Sequence, residues 1–236
     1  MGIAEKYNKK WQNVEVHMSR KIIVPFDDRG TVEKLGALKM KHPYYSVPEY
    51  IDMSKFEYWD RPDLNPDIMG EDRTHGNNML YVDLIPKQSW YKSVRENIDS
   101  VDWERIKEMC KKRANFRCEL CGSSPNYELK NYLECHERFS FDKDNCVQKL
   151  VRFVCLCTKC HYVTHWGLSA IEGRLDIART HMMEVNKWDE ERVSVHVKNR
   201  FEKWKIKNEI TWEIDLSMLE NMGIEQTTSV RTNLPH

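Results

Sequence analysis

Residues 118–121 read Cys-Glu-Leu-Cys, and residues 157–166 read Cys-Thr-Lys-Cys-His-Tyr-Val-Thr-His-Trp. Each Cys-x-x-Cys pair presents two thiolates from one tight turn, and two such pairs in one chain are typical of a tetrahedral zinc site. We therefore predict a structural zinc ion, Zn²⁺, with one set of four ligands: Cys118, Cys121, Cys157 and Cys160. A zinc ion there would staple together the segments that carry the two pairs.

Three histidines accompany the cysteine pairs. His136 lies between the pairs, within Leu-Glu-Cys-His-Glu at residues 133–137, and His161 and His165 follow the second pair. The last two are four residues apart, so a helix would place them on one face. With Cys135 they offer one thiolate and three imidazoles, which suits zinc or nickel better than magnesium. Such a site is structural if four protein ligands close it, and catalytic if one position stays open.

The remaining cysteines have a simpler interpretation. Free cysteine behaves as a small buried hydrophobe, and this is how we interpret Cys110, Cys146 and Cys155. For Cys135, core packing is the alternative to ligation. The carboxylates that flank His136, Glu134 and Glu137, are interpreted as solvated side chains on the opposite face of the strand.

Composition limits the classes of function. The chain of 236 residues balances 37 Lys and Arg against 37 Asp and Glu, so a basic surface for nucleic acid has to be local. No apolar run approaches the roughly 20 residues of a membrane span, and the N-terminus lacks the pattern of a secretory signal. We expect a cytoplasmic protein with no membrane partner, in which clustered cysteines bind metal rather than form disulfides.

Periodicity and capping residues divide the chain into three regions. We predict an irregular, β-containing N-terminal region (1–95), a zinc-stapled core (96–170) and a C-terminal region of helices and a short strand (171–236). Short apolar runs stopped by proline predict extended segments, and amphipathic spacing with acidic starts and basic ends predicts helices. The extended segments are 21–26, 81–86 and 210–216, and the helices are 100–113, 168–185 and 189–207.

The order of these features resembles a known family. A helix, a Cys-x-x-Cys pair, a strand with His136, and Cys-x-x-Cys-His entering a helix are similar to the zinc-containing branch of the HNH, or ββα-metal, endonucleases. Leu-Glu-Cys-His-Glu followed by Cys-x-x-Cys-His-x-x-x-His resembles a phage and bacterial subgroup over about residues 80–170. The resemblance implies an α+β fold with a treble-clef or ββα-metal zinc core. It also implies a metal-dependent DNA endonuclease, which would act in the host cytoplasm if it is phage-encoded.

Site roles follow from the resemblance by position. His136 matches the general base, and His161 matches a ligand of a catalytic divalent ion (Mg²⁺, Mn²⁺, Ni²⁺ or Zn²⁺). Two positions depart from the family: Cys135 replaces an Asp or His, and Arg152 replaces an Asn. These departures motivate two alternatives to the enzyme. One is a catalytically inactive zinc scaffold that binds DNA or a host protein, and the other is a structural protein such as a virion component.

Basic residues near the first cysteine pair are the candidate phosphate contacts. They are Lys111, Lys112, Arg113, Arg117 and Arg152. A second basic group on the late helix comprises Lys198, Arg200, Lys203, Lys205 and Lys207. Lys and Arg that neutralise phosphates would make binding salt-dependent. The alternative for both groups is a solvated helix surface.

Overall fold

The computed structural model describes residues 19–90 and 93–227. The chain divides into two units, Met1–Pro62 and Asp63–His236. Residues 63–95, which the sequence pattern grouped with the N-terminal region, belong to the second unit. All of the candidate site residues lie in this second unit. Within the described ranges, no helix is long and apolar enough to cross a membrane.

The first unit contains a small antiparallel sheet in the order β1-β3-β2. Its elements are β1 (Arg20–Ile23), α1 (Arg29–Lys34), β2 (Leu38–Lys39) and β3 (Tyr44–Val47). Ile22 and Ile23 on β1 and Tyr45 on β3 are buried. The extended segment predicted at 21–26 is thus a strand in its first half, and it ends before Pro25, which cannot donate to a strand ladder.

The second unit is built on a long hairpin. Strands β4 (Leu133–Asp142) and β5 (Val147–Cys157) pair antiparallel, and β6 (Glu213–Asp215) adds to β5 in parallel. Its helices are α2 (Val94–Asn97), α3 (Ser100–Arg113), α4 (Thr158–Thr164), α5 (Trp166–Ile171), α6 (Leu175–Asn186) and α7 (Glu190–Asn208). The content of helices and strands confirms the predicted α+β class.

The hairpin passes into α4 without a linker. Cys157 ends β5 and caps α4, and its sulfur accepts a hydrogen bond from the backbone N–H of Cys160 at 3.5 Å. Helix α3 precedes the hairpin and packs on it, burying Ile106 and Met109 with Phe153 and Leu156 of β5 in one apolar core. The last residues of β5 and the first turn of α4 therefore have a fixed relative position.

Local chemistry explains where the helices differ from their predicted bounds. Helix α3 is capped by Asp99, whose carboxylate accepts a hydrogen bond from Val101 N–H. The cap therefore lies one residue before Ser100, the residue at which the helix was predicted to start. The single helix predicted over 168–185 is two helices, because Gly173 adopts φ +71°, a left-handed conformation that interrupts α-helical hydrogen bonding. The helix predicted over 189–207 is α7, and Asp189, the first residue of that prediction, is its N-cap.

Glu137 lies on β4 and its carboxylate is partly buried, whereas the sequence pattern predicted a solvated side chain. Its Oε1 accepts from Val94 N–H at 2.9 Å. Burial raises the pKa of Glu137 to about 7, even though hydrogen bonds from the N–H groups of Val94 and Arg95 lower it. The folded state therefore binds a proton that the unfolded state releases between about pH 4.5 and 7. Stability is lost as pH rises through this window.

Glu137→Gln is therefore expected to stabilise the protein at neutral pH by about 1–2 kcal/mol, a value reduced for partial exposure. The amide keeps the acceptor for Val94 and has no charge to bury. Urea unfolding at pH 5 and pH 8 measures the effect. The variant should gain stability at pH 8 and little at pH 5, and an equal change at both pH values would contradict this explanation.

Candidate metal centre

Four cysteine sulfurs lie together at the junction of α3, the hairpin and α4. Sγ atoms of Cys118, Cys121, Cys157 and Cys160 all lie within 4.8 Å of one another. Those of Cys121 and Cys157 are 3.6 Å apart. Zinc–sulfur bonds of about 2.3 Å in a tetrahedron place ligand sulfurs about 3.8 Å apart. The donor set and the spacing fit a zinc ion, and this group of residues could hold one.

Thiol chemistry in the group also suits a cation. Hydrogen bonds among the thiols, that with Cys118 first, lower the pKa values of Cys121 and Cys157, and hydrogen bonds within the same group raise the pKa values of Cys118 and Cys160. Cys121 and Cys157 therefore favour the thiolate form, which is the form that binds metal. The first pair is shaped by a turn in which Gly122 N–H donates to Cys118 C=O at 2.9 Å, and Gly122 has φ +73°.

His181 joins this group from α6, although no sequence spacing indicated it. Its Nε2 lies 3.2 Å from Cys160 Sγ. Burial alone would lower the pKa of His181, but the thiols of Cys121 and Cys157 raise it to about 9. A protonated His181 ring can donate a hydrogen bond to this group of sulfurs. The residue lies far along the chain from Cys160, and only the packing of α6 against α4 brings the two together.

The three histidines form a second group. Ring nitrogens of His136, His161 and His165 lie within 4.8 Å of one another. His161 and His165 are one helical turn apart, with ring centroids separated by 4.4 Å, and His136 faces them from β4 at 5.6 and 4.8 Å. The three imidazoles converge in the way that the sequence pattern predicted, and the set could hold a metal ion.

Burial keeps these imidazoles available as ligands. His136 is only 4% exposed, and burial lowers its pKa. The pKa of His165 falls to about 2, first because of burial and then because of the neighbouring His136 and His161. Both rings are neutral at physiological pH, and a neutral ring nitrogen is what a metal ion requires.

Cys135 does not belong to the three-histidine group. Successive residues of a strand face opposite sides, so the thiol next to His136 points away from the imidazoles. Cys135 pairs across the hairpin with Cys155, and both thiols contact Cys110 of α3 in the core. The alternative of core packing applies to Cys135, as it does to Cys110 and Cys155, whereas Cys146 is exposed at the hairpin turn.

Two carboxylates flank the histidines, and neither was predicted there. Glu134 precedes His136 by two residues and therefore shares its face, and its Oε2 lies 3.2 Å from His161 Nδ1. The expectation that it faces away is wrong. Asp83 Oδ2 lies 3.7 Å from His136 Nε2. Burial would raise the pKa of Asp83, but His136, Arg200 and Lys207 outweigh burial and hold it at about 2.

A cavity of about 370 Å³ opens beside the histidines. Its wall includes His161, His165, Glu134, Lys130 and Arg174. Arg174 forms an ion pair with Glu172, and its guanidinium lies 4.5 Å from the centre of the Tyr162 ring. The cavity thus combines imidazoles, cations and aromatic rings. A ligand bound in it would contact the exposed side of the three-histidine group.

Two of the three arginines near the first cysteine pair that were predicted to contact phosphate, Arg113 and Arg152, are structural. Arg113 forms a buried ion pair with Glu71, with the two side chains 3% and 1% exposed. Arg152 pairs with Glu119 at 2.8 Å and is also buried. Each guanidinium is therefore already neutralised inside the unit, and neither faces solvent as a phosphate contact would.

The other candidate phosphate contacts are divided between ion pairs and solvent. Lys111 pairs with Glu108, and Lys112 pairs with Asp63. Arg117 is exposed next to the first cysteine pair, with a hydrogen bond to Gly122 C=O. On α7, Arg200 and Lys207 donate to the backbone carbonyls of Val82 and Leu84. These last two side chains hold a neighbouring segment rather than extend into solvent.

Comparisons of the chain with models of known protein families, with curated proteins and with solved structures gave no match.

Proposed function

We propose that this chain is a metal-dependent phosphodiesterase that nicks or cuts DNA, built like the zinc-containing HNH endonucleases. One observation carries the proposal. An antiparallel hairpin leads directly into a helix, four cysteines surround that junction, and His136 on the hairpin faces His161 and His165 on the helix. This is the arrangement that a ββα-metal core requires, with a zinc ion as the staple.

In this proposal the three histidines hold the catalytic ion. A divalent ion there would lower the pKa of an attacking water and stabilise the charge that develops on the phosphate. Three imidazoles favour zinc, nickel or another late transition ion over magnesium, which prefers oxygen ligands. Three protein ligands leave a position open, as catalytic zinc sites do.

We infer that His136 acts as a ligand rather than as the general base that its sequence position implies. A base has to accept a proton from a water molecule in contact with the substrate. His136 is almost fully buried, its pKa is lowered by burial, and its ring is 4.8 Å from that of His165. Each of these features disfavours protonation and favours coordination of a cation.

The cavity beside the histidines supplies the contacts for a nucleic acid strand. Lys130 and Arg174 lie in its wall and offer cations to phosphates on either side of the scissile bond. Tyr132 and Tyr162 line the same cavity and present aromatic rings on which bases stack. Because Arg174 is paired with Glu172, we expect that pair to open when the strand binds.

The second candidate function is a zinc scaffold that binds DNA or a host protein without cleaving. The observation that favours it is how Arg152 is bonded, since this residue stands at the position where the family has an asparagine. Its guanidinium is buried against Glu119 and donates to His75 C=O, so it orients no imidazole. A scaffold of this kind would need the cysteine group and would not need the three histidines.

Nicking of supercoiled plasmid across Mg²⁺, Mn²⁺, Ni²⁺ and Zn²⁺ separates the two functions. We expect cleavage with a transition ion, and a fall to below about one hundredth of that rate in His165→Ala, because the ion loses a ligand. His42→Gln, an exposed histidine of the first unit, serves as the control. Full cleavage by His165→Ala would contradict the proposed site. Failure of the folded wild-type protein to cleave with any ion would favour the scaffold.

A further inference from the structure

Helices α6 and α7 make hydrogen bonds to the backbone of residues 80–85. Asn186 of α6 makes two hydrogen bonds with Leu80, accepting from its N–H at 3.0 Å and donating to its C=O at 2.7 Å. On α7, His196 Nε2 accepts from Val82 N–H at 3.3 Å, and Trp204 Nε1 donates to Ile85 C=O at 2.9 Å. Side chains of α6 and α7, rather than a neighbouring strand, thus make hydrogen bonds with the N–H and C=O groups of this segment.

The same segment is tied to the helix that bears the histidines. Asp83 N–H donates to Thr164 C=O at 3.0 Å, one residue before His165. Arg200 of α7 donates to Val82 C=O, and its guanidinium lies 3.6 Å from Asp83 Oδ1. The segment is fixed on both sides of Asp83. The Asp83 carboxylate is 9% exposed and faces His136.

His136 Nε2 is a buried polar atom that, in the described part of the chain, has no hydrogen-bond partner. The Asp83 oxygen is 3.7 Å away, beyond the 2.7–3.2 Å of a formed hydrogen bond. Glu134 lies closer to the nitrogen that it faces, with its Oε2 3.2 Å from His161 Nδ1.

A carboxylate on the outer nitrogen is the usual device that orients a metal-binding imidazole. The ring nitrogen that donates to the carboxylate carries the proton, and the other nitrogen is left with a free lone pair. Two of the three histidines have a carboxylate in this position, one from the same strand face and one from a distant segment. His136 and Asp83 are 53 positions apart in the sequence, and the hydrogen bonds of the Asp83 segment to α4, α6 and α7 bring them together.

We propose that Asp83 is the positioning residue of the three-histidine site. Its carboxylate accepts the Nε2–H of His136 and leaves Nδ1 free to bind the ion, and the C-terminal helices serve to hold it there. This inference rests on the proposed function only for the presence of an ion. The tautomer of His136 is a property of the protein before that ion is added.

The test uses the full chain with one equivalent of zinc on the cysteines and ¹⁵N-labelled histidine. Long-range ¹H–¹⁵N spectra should show His136 as the Nε2–H tautomer in the wild-type protein and as a mixture in Asp83→Ala. Titration with Co²⁺ should show affinity for the second site reduced about 10- to 100-fold in Asp83→Ala. Asp83→Asn retains an acceptor oxygen and should recover most of the tautomer preference. Glu137→Gln, on the other face of β4, should change neither measurement.

Two results would overturn the proposal. One is an unchanged tautomer and unchanged Co²⁺ affinity in Asp83→Ala. The other is complete loss of Co²⁺ binding in Asp83→Ala, as in His165→Ala, which would make Asp83 a ligand instead. If the wild-type protein binds no Co²⁺ at the histidines, the proposed function fails, and the tautomer measurement still decides whether Asp83 positions His136.

Discussion

Replacement of Cys157 by Ser is expected to unfold the hairpin and α4. Cys157 holds three roles at once: it ends β5, it caps α4 and it contributes one of four clustered sulfurs. Binding of structural zinc releases about 10–16 kcal/mol in small zinc domains, which is comparable to the whole net stability of about 5–15 kcal/mol of a typical protein. Loss of one thiolate weakens zinc binding and should therefore remove a large part of the free energy that keeps this junction folded.

Circular dichroism during thermal unfolding, with zinc counted on the same sample, measures this effect. Cys146→Ser is the matched control, because Cys146 is exposed at the hairpin turn and lies outside the cysteine group. Chelation of the wild-type protein should reproduce the Cys157→Ser result. A melting temperature that stays the same after complete removal of zinc would show that the cysteines stabilise the junction without a metal.

The second large effect is expected when the buried pair of Arg113 and Glu71 is broken. The two side chains make two hydrogen bonds, at 2.6 and 3.1 Å, and Glu71 Oε1 also accepts from Phe153 N–H at 2.9 Å. Arg113 in turn donates to Phe153 C=O at 2.6 Å. The pair thus fixes the loop around Glu71 and the end of α3 to β5. Removal of one partner leaves the other as an unpaired buried charge.

Glu71→Ala should therefore lower the free energy of unfolding by about 3–5 kcal/mol. Lys112→Ala removes the neighbouring ion pair with Asp63, which is exposed, and should cost less than about 1 kcal/mol. Urea unfolding of both variants gives the comparison. An Arg113→Ala protein as stable as the wild type but weaker in DNA binding would restore Arg113 to the phosphate contacts predicted from sequence.

The candidate metal-binding residues at the junction of β5 and α4 could be recognised from sequence because their spacing is short. Cys157, Cys160, His161 and His165 lie within one strand end and two helical turns, so the local geometry of those elements places them. The capping residues and charge order of α3 and α7 are local in the same sense, and their bounds were predicted to within about two residues, as is usual for helix ends.

Errors of prediction arose where strand faces had to be assigned. Glu134 and His136 are two residues apart and share a face, whereas Cys135 and Glu137 face the opposite side. Of the two interpretations of Cys135, the strand face favours core packing over ligation, and Glu134, expected to face away from His136, lies against His161. The basic residues near the first cysteine pair show a related limit, since sequence gives the charge of Arg113 and Arg152 but not the buried acids that pair with them.

The sequence alone thus indicated the two sets of candidate metal-binding side chains and the order of elements that carries them, because each Cys-x-x-Cys pair and the pair of His161 and His165 are local spacings that one turn or helix places. Tertiary structure alone decided what surrounds them. Asp83 reaches His136 through a segment clamped by α6 and α7, and His181 reaches Cys160 from α6. Such contacts depend on the packing of whole helices, and no spacing between neighbouring residues encodes that packing.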